Sequence, residues 1–458
     1  MNIINPATNQ VIQTVSEDSK ENLIQKFASL KQGQAAWRNV SLTARIACLQ
    51  RFQDLLETNK DDLAATLTSE TGKPLSQAIN EINGAKHRIQ WLCKNATFVL
   101  KDEWMSEEAG MGEKISYEPL GVVCNISAWN YPYLVGVNVF VPALLAGNAV
   151  LYKPSEFATL TGLAIEKLLL ESGIPKDVFC AAVGAREVGA ALLAMDFDGY
   201  FFTGSYATGQ YIYEQVAPKM VPCQLELGGK DPLYVADDVA DVAAVATGTA
   251  DGAFYNNGQS CCAVERIYIH EKVYDDYVAA FVQEVKSWKA GAPSEEGVYI
   301  GALTRAAQIK VLEHQVKDAL AKGATLLTGG KKIECEGNFF EPTVLVNVTN
   351  DMAVMQEESF GPIIGIMKVK DDAEAIRFMN DTAYGLTAAV YTSSQERAES
   401  ILSQINSGTG YWNCCDRVSP GLPWSGRKHS GFGATLSYIG IRAFTKPKAY
   451  HLRGDWKK

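Results

Sequence analysis

Residues Gly121–Glu156, GVVCNISAWNYPYLVGVNVFVPALLAGNAVLYKPSE, begin with a β-rich run, GVVCNIS, and end on a second one, AVLYKP, followed by Ser-Glu. The apolar stretch Leu134–Tyr152 is about membrane length, yet Asn138, Pro142 and Asn148 interrupt it. It reads as a buried helix leading into the strand AVLYKP. Outward from this segment the alternation continues. YFFTGS at 200–205 and PLYVA at 232–236 read as strands, and Leu160–Glu171 carries apolar residues at helical spacing until Ser172-Gly173 and Pro175 stop it. Short strands alternating with longer helices predict an α/β fold in which helices cover parallel sheets. A second α/β block follows, with helices over Val273–Lys286 and Ala307–Lys322 and a strand in ATLLTGG at 324–330. No repeat, low-complexity tract or Pro/Ser-rich linker divides the blocks, so the domains should pack closely with the active site between them.

A chain of 458 residues exceeds what one core supports, so two or three domains are expected, and 47% hydrophobic content can fill them. The formal charge of -10 argues against general affinity for nucleic acid or anionic membranes, which requires clustered Lys and Arg. Ten cysteines, at 48, 93, 124, 180, 223, 261, 262, 335, 414 and 415, are scattered rather than set in the dense framework of a small secreted domain. With no CxxC pair and no zinc spacing among the histidines, no metal is expected. A reducing cytoplasm is the simplest compartment. The amino terminus, MNIINPATNQ, has no basic segment followed by an apolar run, so no targeting peptide is read there.

Chemistry concentrates in two stretches, FYNNGQSCCA at Phe254–Ala263 and LELGGK at Leu225–Lys230. A thiolate attacks an electrophilic carbon without a dedicated histidine, and a carboxylate in a water-poor site gains basicity. Cys261 is therefore the candidate nucleophile and Glu226, 35 positions upstream, the candidate base. A lone cysteine is more often a small buried hydrophobe; the surrounding pattern overturns that reading. In FFTGSYATGQYIYEQVA a strand runs through Gly204-Ser205 and Thr208-Gly209 into an amphipathic helix, whose unpaired amides suit a pyrophosphate. A P-loop would need Gly-Lys-Ser/Thr, but Gln210 and Tyr211 follow Gly209, and no GxGxxG fingerprint is present.

From end to end the chain resembles the aldehyde dehydrogenase superfamily. LELGGK and FYNNGQSCCA match its glutamate and cysteine motifs, and four more stand in family order between Leu120 and Gly431: PLGVVCNISAWNYP, KPSE, FTGSYATG and EESFGP. The resemblance implies a variant Rossmann cofactor domain (1–112 and 121–228), an α/β catalytic domain (229–428) and a small β oligomerisation segment (113–120 and 429–458). It implies that Cys261 attacks an aldehyde, that the Asn130 side chain and the cysteine amide stabilise the oxyanion, and that Glu226 activates the water that frees the acid. Lys153 counts with these three among the catalytic residues. Lys153 and Glu156 are also implied to hold the adenosine ribose, with Gly184, Thr203, Gly204, Ser205 and Thr208 along the dinucleotide. Trp129 and Leu227 contribute backbone, and Glu358 and Phe360 meet the nicotinamide ribose and ring. The cofactor is NAD, which Glu156 favours by repelling a 2'-phosphate, with NADP possible through Lys153.

Glu226 also separates this chain from relatives that pass the acyl group to coenzyme A, which generally lack that glutamate. Two rivals from other classes are a cysteine hydrolase using His270, which lies on a strand without an orienting Asn or Asp, and a non-catalytic NAD-binding protein on the same fold. The family pattern places the substrate tunnel at Tyr131, Val135, Asn138 and Trp424, within a wall completed by the loop Tyr411–Trp424. Aromatic residues there could cage a quaternary ammonium aldehyde, but Asn138 stands where betaine-aldehyde relatives usually carry tryptophan. Arg417 could instead pair with the carboxylate of a semialdehyde. The tail reads PWSGRKHSGFG where relatives commonly have PFGGxKxSG, so Trp424 and Ser425 depart from the family. Segments at Glu113–Pro119 and after Ile441 match dimer-forming strands, and a homodimer or a dimer of dimers is expected.

Overall fold

The computed structural model describes residues 1–108 and 110–454. Ala109 and the last four positions of the expected tail, 455–458, lie outside the described residues.

The opening segment folds as strand Val122–Ile126, helix Pro132–Ala146 and strand Ala149–Lys153. Pro132 occupies the first helical turn, where its missing N–H costs nothing, and Gly147 ends the helix at φ 92°, a conformation other residues resist. The two strands pair in parallel. Strand Phe179–Ala181 extends the sheet on one side, and Gly199–Thr203 and Cys223–Glu226 extend it on the other, all parallel. Chain order thus reverses between Val122–Ile126 and Gly199–Thr203. A crevice at the carboxyl ends of two such strands is where open α/β sheets bind ligands. The short strand Gly431–Phe432, far along the chain, adds antiparallel to Leu225–Glu226 and closes that edge.

Seven strands make the second sheet, in the order Thr325–Thr328, Thr343–Val346, Ile363–Val369, Val264–His270, Asp231–Val235, Thr387–Tyr391 and Thr409–Trp412. Only the edge strand Thr325–Thr328 is antiparallel. Helices Tyr274–Ser287 and Ala306–Ala321 fall within a residue of their expected limits. Each sheet has its own core: Phe52, Ile82, Ile89, Phe140 and Tyr152 in the first block, and Tyr234, Tyr268, Leu312 and Val354 in the second.

A third, antiparallel sheet pairs Thr445–Arg453 with Met111–Pro119 and Met111–Pro119 with Glu103–Glu108. The two segments expected to be extended are thus neighbours, and they recruit an additional strand. Among the described residues no helix is long and apolar enough to cross a membrane.

Candidate active site

LELGGK is the crossing between the two large sheets: Glu226 ends one strand and Asp231 begins the next. Its two glycines make that crossing possible. A Cβ on Gly228 would lie 2.3 Å from the Glu358 carboxylate, and one on Gly229 would lie 2.4 Å from the carbonyl oxygen of Cys261. The glutamate motif, the cysteine motif and EESFGP therefore meet at backbone contact. Glu358 Oε1 accepts from the Gly229 amide at 3.0 Å. Beneath them the buried Lys230 donates to Glu265 at 2.7 Å and to Ser359 Oγ at 2.9 Å, while Glu265 also takes the Ser359 and Phe360 amides.

The cysteine loop is shaped by Asn256 and Asn257, at φ 56° and 59°. Asparagine tolerates this left-handed region because its short polar side chain bonds locally. Asn256 Nδ2 donates to the carbonyls of Gln259 and Asn130, and Asn257 Oδ1 accepts from the Gly301 amide. Past this turn Cys261 is half-buried, whereas Cys262 is buried and donates through Sγ to Asp416 Oδ1 at 3.0 Å. Cys262, Leu386, Trp424 and Leu436 form an apolar cluster against which Cys261 and Val418 pack. Trp424, expected at the tunnel, is thus beside the thiols. The hydrogen-bonding neighbour Cys261 and then burial push the Cys262 thiol well up, so it stays protonated.

Asn130 reaches the same loop, donating from Nδ2 to the Gln259 carbonyl at 3.1 Å. The Asn130 carbonyl accepts from Lys73 Nζ at 2.8 Å. Lys73 is fully buried, pairs with the fully buried Glu81, and lies 3.9 Å over the Tyr131 ring. Glu81 takes the Tyr133 amide at 2.9 Å. Sequence reading missed this buried pair, which fixes the backbone that carries Asn130.

Glu226 is 8% exposed, and burial raises its carboxyl to about 7. Thr435 Oγ1, which donates to Glu226 Oε1, and the charge of Arg88 pull it back down. A carboxylate near 7 is half ionised at neutral pH, the condition that suits a general base.

Several residues expected to hold the cofactor gather at the chain-order reversal. Trp129 and Asn130 follow Val122–Ile126, and Gly204 and Ser205 follow Thr203 at the end of the neighbouring strand. Ser205 caps helix Tyr206–Val216 but its hydroxyl bonds Thr208 Oγ1 at 3.1 Å rather than an amide. The first-turn amides are left for an anion, and the residues fit a pyrophosphate. Leu227 packs on Gly209, and its amide is already given to the Ser430 carbonyl. Phe360, at φ 46°, meets Trp129 edge to face at 5.4 Å. Gly184 lies in the loop before helix Arg186–Leu193.

Lys153 and Glu156 are electrostatic neighbours at the end of strand Ala149–Lys153, where burial lowers the lysine's pKa and Glu156 raises it. Lys153 lies across the sheet from Glu226. Two strands separate its own from Cys223–Glu226, about 14 Å across the sheet. Tyr131 and Val135 are half-buried and Asn138 is buried at the start of helix Pro132–Ala146 and along it. Arg417 is exposed and lines a cleft of about 610 Å³ between helix Val242–Phe254 and residues 413–417. His270, the last residue of strand Val264–His270, accepts from the Lys272 amide at Nδ1 at 3.2 Å.

The chain matches the Aldehyde dehydrogenase family over residues 1–450. It is similar to an aldehyde dehydrogenase of Agaricus bisporus, 33% identical over 470 residues that cover 100% of this chain and 92% of the relative. Glutarate-semialdehyde dehydrogenase of Pseudomonas putida is 34% identical over 448 residues, 97% of this chain and 93% of that protein. Among solved structures, succinate-semialdehyde dehydrogenase from Burkholderia pseudomallei aligns with a TM-score of 0.96 at 33% identity, covering 99% of this chain and 94% of that one. The chain belongs to the aldehyde dehydrogenase family. It is an oxidoreductase, and its cofactor is NAD or NADP.

Proposed function

We propose that the chain oxidises an aldehyde to the carboxylic acid through a thiohemiacetal and then a thioester on Cys261. The observation that supports this reading is the close approach of the Gly229 backbone to the Cys261 carbonyl, which brings the cysteine motif against the motif that carries Glu226. The Cys261 thiolate adds to the aldehyde carbon, and the oxygen that becomes anionic takes hydrogen bonds from Asn130 Nδ2 and the Cys261 amide. One such donor is worth about 3 to 4 kcal/mol in acyl-transfer sites. Glu358, Phe360 and the Trp129 backbone would hold the nicotinamide, which would accept the hydride. Glu226 then takes a proton from the water that attacks the thioester and frees the acid. Glu156 supports NAD over NADP.

Among the described residues the outer strand Thr445–Arg453 has a sheet neighbour on one side only, which supports pairing with a second copy as a dimer or a dimer of dimers. All ten cysteines are free thiols, which supports a reducing, cytoplasmic setting. The test is the initial rate of cofactor reduction across aliphatic, aromatic, ω-amino and carboxyl-bearing aldehydes, with NAD and NADP in parallel. Activity that survives Cys261→Ala, or product released only when coenzyme A is added, defeats the reading.

A further inference from the structure

Arg88 is 8% exposed and stands on helix Leu75–Val99, on the face that also carries Gly84 and Trp91 one turn to either side. That face bridges the two elements proposed to line the substrate tunnel. A Cβ on Gly84 would meet Leu134 Cδ2 at 3.0 Å, so this turn lies flat on helix Pro132–Ala146. Arg88 Nη1 donates to the Leu134 carbonyl at 3.0 Å and to Asn138 Oδ1 at 2.9 Å. Trp91 faces Gly421 in the loop Tyr411–Trp424 and stacks on Tyr438 at 5.7 Å.

Both hydrogen bonds leave through one nitrogen and end on neutral oxygens. Among the described residues no carboxylate forms an ion pair with Arg88, and Nε and Nη2 have no hydrogen-bond partner. Those two nitrogens form the edge of the guanidinium that meets a carboxylate with two parallel bonds. A buried cation without an anion is costly unless something supplies one. The surroundings do so only in part: Glu81 is taken by Lys73, burial pushes Asp416 well up, and Glu226, near 7, is half ionised at neutral pH and forms no ion pair with Arg88. Burial pushes Arg88 down only to about 10, so it remains charged, and it feels Cys262, Glu226, Glu81 and Cys261 through space.

We propose that Arg88 binds an anionic group at the far end of the aldehyde, which makes ω-carboxy aldehydes, the semialdehydes of short dicarboxylic acids, the substrate class. This rests on Cys261 being the group that attacks the aldehyde carbon. Asn138 is the positioning residue: its Oδ1 takes Nη1 and turns the Nε–Nη2 edge outward. Arg417, exposed at the 610 Å³ cleft, is not needed for the task.

Succinic semialdehyde and butanal share a four-carbon chain and differ in the terminal charge. For the wild type, kcat/KM should favour succinic semialdehyde, and Arg88→Met should lower that preference by about 10- to 100-fold, mostly through KM. Arg88→Lys should recover part of it. Equal losses for both aldehydes, or a shifted acid limb with the preference intact, would mean that Arg88 serves Glu226 or the helix packing, and would overturn the proposal.

A second measurement needs no turnover. Butyrate should slow iodoacetamide alkylation of Cys261 in the wild type and in Arg88→Lys more than in Arg88→Met, and equal protection of the wild type and Arg88→Met would also overturn the assignment. Should neither aldehyde be oxidised with either cofactor, the reading of the reaction fails while the alkylation experiment still decides the role of Arg88.

Discussion

Thr435 gives its hydroxyl hydrogen to Oε1 of Glu226 across 209 positions of sequence. The register that allows it comes from the paired amides and carbonyls of Trp424 and Thr435, which fold the tail motif back over the thiols. This bond and the Arg88 charge are what keep Glu226 from rising above about 7.

Replacing Thr435 with Val keeps the shape and removes the bond. Glu226 should then titrate higher, so less base is ionised at a given pH. The acid limb of the kcat profile should move upward by about half to one pH unit. A limb that stays in place would show that Thr435 does not tune the group that limits turnover.

Gly229→Ala places a Cβ 2.4 Å from the Cys261 carbonyl. Backbone cannot yield there as a side-chain tip would, and the thiol must shift. We expect kcat to fall about 100-fold with little change in fold. Gly248→Ala is the matched control: that glycine lies on the exposed face of helix Val242–Phe254 with open space at its Cβ. It should leave kcat alone and stabilise the protein by about 0.5–1 kcal/mol.

The adjacent cysteines should separate cleanly. Cys261→Ala should lose about 1,000-fold or more in aldehyde oxidation. Cys262→Ala should keep most of it, because the Cys262 thiol is buried, protonated and committed to Asp416. Peptide mapping after brief iodoacetamide treatment should find Cys261 labelled first; preferential labelling of Cys262 would reverse the assignment.

Asp231, fully buried under the crossing and bonded by Thr387, is raised by burial to about 8. Its unfolded counterpart ionises near pH 4. Between those values the folded chain holds a proton that the unfolded chain has released, so stability is lost as pH rises through the window. Asp231→Asn removes this dependence. Its melting temperature relative to the wild type should climb from pH 5 to pH 8, and a constant difference would contradict a protonated Asp231.

Much of this could be read from the sequence because the chemistry is local. Glu226 and Cys261 stand in short motifs whose glycines and asparagines are demanded by tight backbone geometry, and the strands around Gly121–Glu156 follow from uninterrupted apolar runs. Other residues gave no such signal. Arg88 sits within an ordinary amphipathic helix, 50 positions from Asn138. Lys73 and Glu81 look like a solvated pair, and only the packing of helix Leu75–Val99 on Pro132–Ala146 buries them. Thr435 lies in a tail whose departure from the common pattern drew notice to Trp424 instead. Lys153 shows the converse: a motif names the residue, and only strand order places it relative to Glu226.

The strand Gly431–Phe432 also sets an order of events during synthesis. A ribosome delivers the carboxylate and the thiol long before the segment that pairs with Leu225–Glu226 and brings Thr435 to its partner. A nascent chain therefore holds both side chains before the Glu226–Thr435 hydrogen bond can form. That bond and the strand that closes the sheet edge are thus the last parts of the candidate site to be delivered.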